Sequence, residues 1–99
     1  MRFTFISLTK TNGNKKYIAV VLNKTTNKKN TIRFGANGYE NYTDGHLDEH
    51  RKKLYIQRHK DRENWTASGA NTAGWWAYHF LWRFKTKKDA LNYIKHTLK

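Results

Sequence analysis

The residues with the clearest chemical potential form a basic run in the middle of the chain. Asp61 is the only carboxylate within this stretch of twelve residues, which also contains six cations: Arg51, Lys52, Lys53, Arg58, Lys60 and Arg62. If the run is helical, a rotation of about 100° per residue places Arg51, Arg58 and Arg62 on one face. A guanidinium binds phosphate through two parallel hydrogen bonds. We therefore predict that these six residues and His59 form a nucleic-acid-binding ridge.

A structural role for the same arginines is an open alternative. Tyr55 lies between them on the predicted face, and Trp65 follows shortly after the run. The aliphatic stems could cover the core, or the guanidiniums could stack on nearby tryptophans. Lys52, Lys53 and Lys60 point away from this face, so we expect them to be solvated and to add sequence-independent electrostatic attraction.

A second candidate region is the aromatic segment 74–84, which contains six of the fifteen aromatic residues. We predict a helix over residues 72–84, with Trp76, Phe80 and Phe84 on one face. Since a helix that is apolar all round must be buried all round, and a short chain has little core, we predict contact with another chain or a second copy. Burial by the sheet and flanking helices, or base stacking on the indoles, are the alternatives. The predicted partner-binding residues are Trp75, Tyr78, His79 and Trp82.

The histidines offer a third kind of chemistry. His46 and His50 match the pattern H-x-x-E-H, which can place two zinc ligands and a glutamate on one helix. This pattern makes a metal-dependent hydrolase or nuclease the third hypothesis, although no third ligand is evident in the sequence. We expect no metal, no cofactor and no enzymatic activity.

The elements that must position these residues begin with strands. Apolar and polar residues alternate in residues 2–8, residues 17–22 are nearly all apolar, and residues 31–34 form a third candidate strand. Asn12-Gly13 predicts a tight hairpin with positive φ at both residues. A glycine-rich loop then presents Tyr39 and Tyr42.

Helices follow the predicted strands. We predict helices over residues 47–64, with acidic residues in the first turn, over 72–84, and from a capping box at residues 86–89 to the C-terminus. The predicted fold class is α+β: a three-stranded antiparallel β-meander followed by three α-helices, in a single domain covering residues 1–99.

Composition restricts the class of protein. The chain has 99 residues, a net charge of +13, no cysteine and no proline. A disulfide-rich module and a membrane-spanning protein are both excluded, because there are no cysteines and no apolar run is long enough. No signal peptide is evident, so we expect no secretion by that route. Residues 1–45 carry a net charge of +6 and residues 46–99 carry +7. This even spread indicates a polyanion-binding surface rather than a basic tail.

Short motifs spread over residues 17–99 resemble a small basic family of uncharacterised proteins from large nucleocytoplasmic DNA viruses. The resemblance is carried by residues 34–43 (FGANGYENYT), 51–53 (RKK), 55–56 (YI), 58–60 (RHK), 62–65 (RENW), 72–76 (TAGWW) and 81–82 (LW).

Two segments depart from the pattern of that family. Residues 46–50 (HLDEH) replace a shorter His-x-Asp stretch, and residues 83–86 (RFKT) replace a turn that contains proline. The resemblance implies a viral origin and suggests a virion component, but it implies no activity. It also implies that residues 58–65 act as one unit, either a buried polar network or a binding ridge.

We therefore expect a non-enzymatic, virus-encoded basic protein that binds nucleic acid through phosphate contacts with low sequence specificity. The alternative is a structural protein of the virion, such as a minor capsid or cement protein. The expected partners are the backbone of DNA or RNA, or acidic capsid proteins, with self-association as a further option and no membrane span. The expected location is the virion, or the cytoplasm or nucleus of the host cell.

Overall fold

The computed structural model describes residues 2–99 and confirms the predicted meander. Three antiparallel strands pair in the order β1-β2-β3, and they cover Phe3–Lys10, Lys15–Asn23 and Lys28–Ala36. All three are longer than predicted, because the backbone ladder continues through polar ends that carry no hydrophobic signal. Helices follow the strands, as the α+β prediction requires.

One face of the sheet supplies the core. In β2, Tyr17, Ala19 and Val21 are buried, whereas the residues between them are only half-buried on the opposite face. The nearly continuous apolar run of β2 therefore belongs to a central strand that the helices cover on one side only. In the neighbouring strand, an irregularity between Phe5 and Ser7 shifts the register of the pairing between β1 and β2.

The hairpin between β1 and β2 is present, but its predicted turn geometry is wrong. Neither Asn12 nor Gly13 has a positive φ. A four-residue loop joins the strands, and the N–H of Thr11 donates to the carbonyl of Lys16 at 2.8 Å. The hydroxyl of Thr11 accepts the N–H of Gly13 at 3.3 Å. This longer loop does not need the positive φ angles of a two-residue turn.

Helix α1 covers Glu49–His59, which is shorter at both ends than predicted. The side chain of Asp48 accepts the N–H groups of His50 and Arg51, so Asp48 is the N-cap rather than a first-turn residue. These hydrogen bonds, first that from Arg51, lower the pKa of the Asp48 carboxyl. Arg62 lies beyond the helix and donates twice to the carbonyl of Arg58, at 2.7 and 3.2 Å.

The second predicted helix changes its winding partway. Helix α2 covers Ala73–Trp76 and continues directly as a π-helix over Ala77–Trp82. Trp76 and Phe80 both pack on Phe34 of the sheet, at ring-centroid distances of 5.7 and 6.2 Å. The wider π turn rotates the residues that follow. Phe84 therefore leaves the predicted face and packs 5.5 Å from Tyr93 instead.

The aromatic segment is buried within its own chain, which corrects the prediction of an intermolecular contact. Trp75, His79 and Trp82 are 0%, 2% and 9% exposed. Tyr78 is half-buried and stacks on Trp65 at 3.9 Å. A short chain can bury this segment on all sides because the sheet, α1, the loop before α2 and the last helix each cover one side.

Helix α3 covers Lys87–Thr97, and Thr86 is its N-cap. The hydroxyl of Thr86 accepts the N–H of Asp89 at 3.1 Å, which is one half of the predicted capping box. Ala90, Ile94 and Leu98 form the buried stripe. None of the helices in residues 2–99 has the length and apolar character needed to cross a membrane.

Candidate nucleic-acid interface

A groove lies between α1 and the segment 39–41. Its volume is about 390 Å³. It brings together residues from the loop after β3, from α1 and from the end of the π-helix: Tyr39, Glu40, Asn41, Arg51, Leu54, Tyr55, Arg58, His59 and Trp82. We call this the α1 groove.

An aromatic stack fixes α1 against the π-helix. The rings of Tyr55 and Trp82 are 4.4 Å apart and nearly parallel, at 6°. His59 stacks on Tyr55 at 4.3 Å. Burial raises the pKa of the Tyr55 hydroxyl, so the phenol remains neutral. These rings give the groove a rigid aromatic wall.

Arg51 and Arg58 line the groove, and both are exposed. Lys16 and Asp44 form the only salt bridge among residues 2–99, so neither arginine has a carboxylate partner there. The cation–π contacts in the same part of the chain use other cations. The alternative in which these arginines stack on tryptophans therefore has no support. Their guanidiniums are available to an anion.

The remaining predicted binding residues divide into two groups. Lys53 and Lys60 are exposed, as expected, beside a shallower depression on α1. Lys52 is half-buried and donates to the carbonyl of Arg83 at 2.7 Å, with its ammonium 4.6 Å above the ring of Tyr42. The prediction of a solvated Lys52 is therefore wrong. Its charge instead stabilises the C-terminal end of the π-helix.

The opposite wall of the groove is formed by segment 39–41. The two residues that follow this segment hydrogen-bond to α1 and to the segment after the π-helix. Tyr42 was expected in an exposed loop, but it is 1% exposed and donates its hydroxyl hydrogen to the carboxylate of Glu49. This hydrogen bond raises the pKa of Tyr42. The hydroxyl of Thr43 donates to the carbonyl of Phe84 at 2.6 Å. Both walls of the α1 groove are therefore anchored on the segment that follows the π-helix.

Two residues of this wall were not predicted as binding residues. Tyr39 is 72% exposed, the most exposed of the large hydrophobic residues. Asn41 is only 8% exposed, and its Nδ2 has no hydrogen-bonding partner among the described residues. The glycine-rich loop predicts that Tyr39 is exposed, but no sequence pattern marks Asn41 as a residue of the groove.

The structure does not support the zinc pattern. The helix begins at Glu49, so His46 precedes it and cannot share a helix face with His50. The Nδ1 atom of His46 accepts the N–H of Asp48 at 2.9 Å. Residues 2–99 contain no group of three or more histidine, aspartate or glutamate side chains placed to hold a metal ion.

The residues of segment 58–65 that were expected to act as one unit do not come together. Arg62 donates to the carbonyl of Arg58, and the other residues fall into two groups. Arg58 and His59 belong to the α1 groove. Trp65 and Glu63 instead pack on the aromatic helix, the first on Tyr78 and the second against Gly74.

The chain matches a family of unknown function, DUF5754, over residues 8–59. This range begins in β1 and ends at the last residue of α1, so it contains every residue of the α1 groove except Trp82. No curated protein and no solved structure matches the chain. Because the match covers more than half of the sequence, the chain belongs to the DUF5754 family.

Proposed function

We propose that the protein is a non-enzymatic, virus-encoded protein that binds nucleic acid through the α1 groove and the exposed cations around it. The observation that carries this proposal is the pair Arg51 and Arg58, which are exposed on one side of the groove without a carboxylate partner. A guanidinium in that state is a ready donor of two hydrogen bonds to a phosphate.

The charge of the whole chain supports a polyanionic partner. A net charge of +13 is combined with a single salt bridge among residues 2–99. Such a surface repels itself, and phosphate neutralisation with release of counterions relieves that repulsion. The phosphate contacts expected around α1 are made by Arg51, Lys53, Arg58, Lys60 and Arg62.

The viral origin and the virion or host-cell location rest on the motif resemblance over residues 17–99. The alternative of a structural protein of the virion depended on an aromatic helix that meets a neighbouring subunit. That helix is buried by its own chain. The nucleic-acid proposal is therefore the one that the geometry favours.

The double variant Arg51→Ala/Arg58→Ala tests this proposal. For wild-type protein with about five phosphate contacts, the logarithm of the association constant should fall with the logarithm of salt concentration with a slope of about −4. The variant should bind at least about tenfold more weakly, and its slope should be shallower by about 2, since each lost phosphate contact removes about 1. Fluorescence anisotropy with labelled DNA at several salt concentrations measures both quantities.

The matched control is Lys87→Ala/Lys88→Ala, which removes the same charge from exposed positions at the start of α3. It should weaken binding by less than about threefold, because only long-range attraction is lost. If both double variants lose the same affinity, binding is a property of net charge and not of α1. If the wild-type protein does not bind DNA or RNA, the proposed function is wrong.

A further inference from the structure

We propose that the α1 groove holds one unpaired nucleotide of a single-stranded nucleic acid, with its base against Tyr39 and its flanking phosphates on Arg51 and Arg58. This inference rests on the proposed function and adds the class of ligand. It comes from two features of the groove: an exposed aromatic ring and the spacing of the two arginines.

The exposed ring is that of Tyr39. At 72% exposure it contributes almost nothing to the core, unlike Tyr42, which is buried three residues later. An aromatic face in this position can stack on any base, and stacking is the main sequence-independent contact of single-strand binding proteins. The bases of a duplex are already stacked on one another, so this contact requires an unpaired nucleotide.

The dimensions of the groove fit a single nucleotide. Its volume of about 390 Å³ lies near the lower end of small-ligand sites, too small for a base-paired helix. Arg51 and Arg58 are seven residues apart, which is about 10 Å along a helix axis. This separation favours contact with the phosphates on both sides of one inserted nucleotide.

An acidic peptide fits the same groove less well. It would satisfy the two arginines, but it would leave the ring of Tyr39 without a defined partner. Glu40 also lines the groove, and its carboxylate can accept hydrogen bonds from the N–H groups of a base, which a carboxylate side chain of a peptide does not offer.

The test compares Tyr39→Ala with Tyr39→Phe, since both replace an exposed side chain and should leave the fold intact. The probes are a labelled oligothymidylate of about 15 nucleotides and a duplex of equal length, at about 100 mM salt. Tyr39→Ala should weaken binding of the single strand by about 5- to 100-fold, as expected for the loss of one stacked base, and duplex binding by less than about twofold. Tyr39→Phe should bind both probes within about threefold of wild type, because it keeps the ring.

The outcomes separate this inference from the proposed function. If Tyr39→Ala does not weaken single-strand binding, or weakens duplex binding equally, no nucleotide occupies the groove, although binding through the arginines still stands. If neither probe binds wild-type protein, the proposed function fails as well. If a polyglutamate peptide displaces the single strand from wild-type protein and binds Tyr39→Ala much more weakly, the groove is a peptide site and the inference is overturned.

Discussion

Replacing Trp76 with alanine is expected to lower the free energy of unfolding by about 4 kcal/mol. The indole is fully buried and lies within 6.3 Å of the rings of Phe5, Phe34 and Trp75, so its removal leaves a large cavity. Its Nε1 also donates to the carbonyl of Ala70 at 2.8 Å. Small domains have about 5–15 kcal/mol of stability in total, so this loss amounts to between about a quarter and most of the stability of the protein. Urea denaturation followed by tryptophan fluorescence measures the loss.

A comparison of two phenylalanine variants isolates the hydrogen bond. Trp75 is also fully buried, but its Nε1 has no partner among residues 2–99. Trp76→Phe leaves the carbonyl of Ala70 without its donor, whereas Trp75→Phe removes a donor that had no acceptor. Trp76→Phe should therefore be the more destabilising by about 1–2 kcal/mol. Equal losses, or a larger loss for Trp75→Phe, would contradict the assigned packing of the two indoles.

Acidification is expected to remove about 3 kcal/mol of stability through His79 alone. Burial, assisted by the nearby charge of Arg83, lowers the pKa of His79 to about 4. The unfolded chain binds a proton near pH 6.5. Between these values the unfolded chain carries the extra proton, so this contribution is complete above about pH 6.5 and is lost as the pH falls toward 4.

Besides burial, the contact with Arg83 favours the neutral ring of His79, and it also fixes the tautomer. Arg83 can only donate, so Nδ1 of His79 accepts from it at 3.2 Å and Nε2 carries the hydrogen that is donated to the carbonyl of Trp65 at 2.8 Å. A protonated ring would have to donate toward a guanidinium.

His79→Gln is the informative variant, since its amide can keep the bond to Trp65 but cannot titrate. Chemical denaturation of both proteins between pH 7 and pH 4 gives the difference in their stabilities. That difference should shrink by about 3 kcal/mol as the pH falls, because only the wild-type protein has this proton-linked loss. A difference that does not change with pH would show that His79 is not held neutral.

The sheet was predictable because its signal is local. Alternation along β1 and the apolar run of β2 depend on residues that are adjacent in sequence, so the meander and the α+β class are predictable from sequence alone. The ends of α1 could not be predicted, because they depend on which of several polar residues caps the helix. Asp48 was expected in the first turn but is the N-cap, and Arg62 caps the helix from outside it. The change to π winding after Trp76 also has no local signature.

The part of the candidate site that lies on α1 was predictable, because its signal is also local in sequence. Arg51, Arg58 and His59 were identified by helical periodicity and by residue type. Tyr39 and Asn41 join them only because the chain turns back after β3, with positive φ at Gly35 and Gly38. The inward turn of Lys52 depends on Arg83, which is 31 positions away. Contacts between distant segments decide which of several similar cations remain free.

The location of the binding surface can be measured most directly by NMR, by titrating isotope-labelled protein with a short single-stranded oligonucleotide. We expect the largest shift changes at the backbone amide of Tyr39 and at the guanidinium signals of Arg51 and Arg58. Signals of Ile18, Val20 and Arg33, on the opposite face of the sheet, should change little. Changes concentrated on that face, with the signals of the α1 groove unmoved, would contradict nucleic-acid binding at the α1 groove.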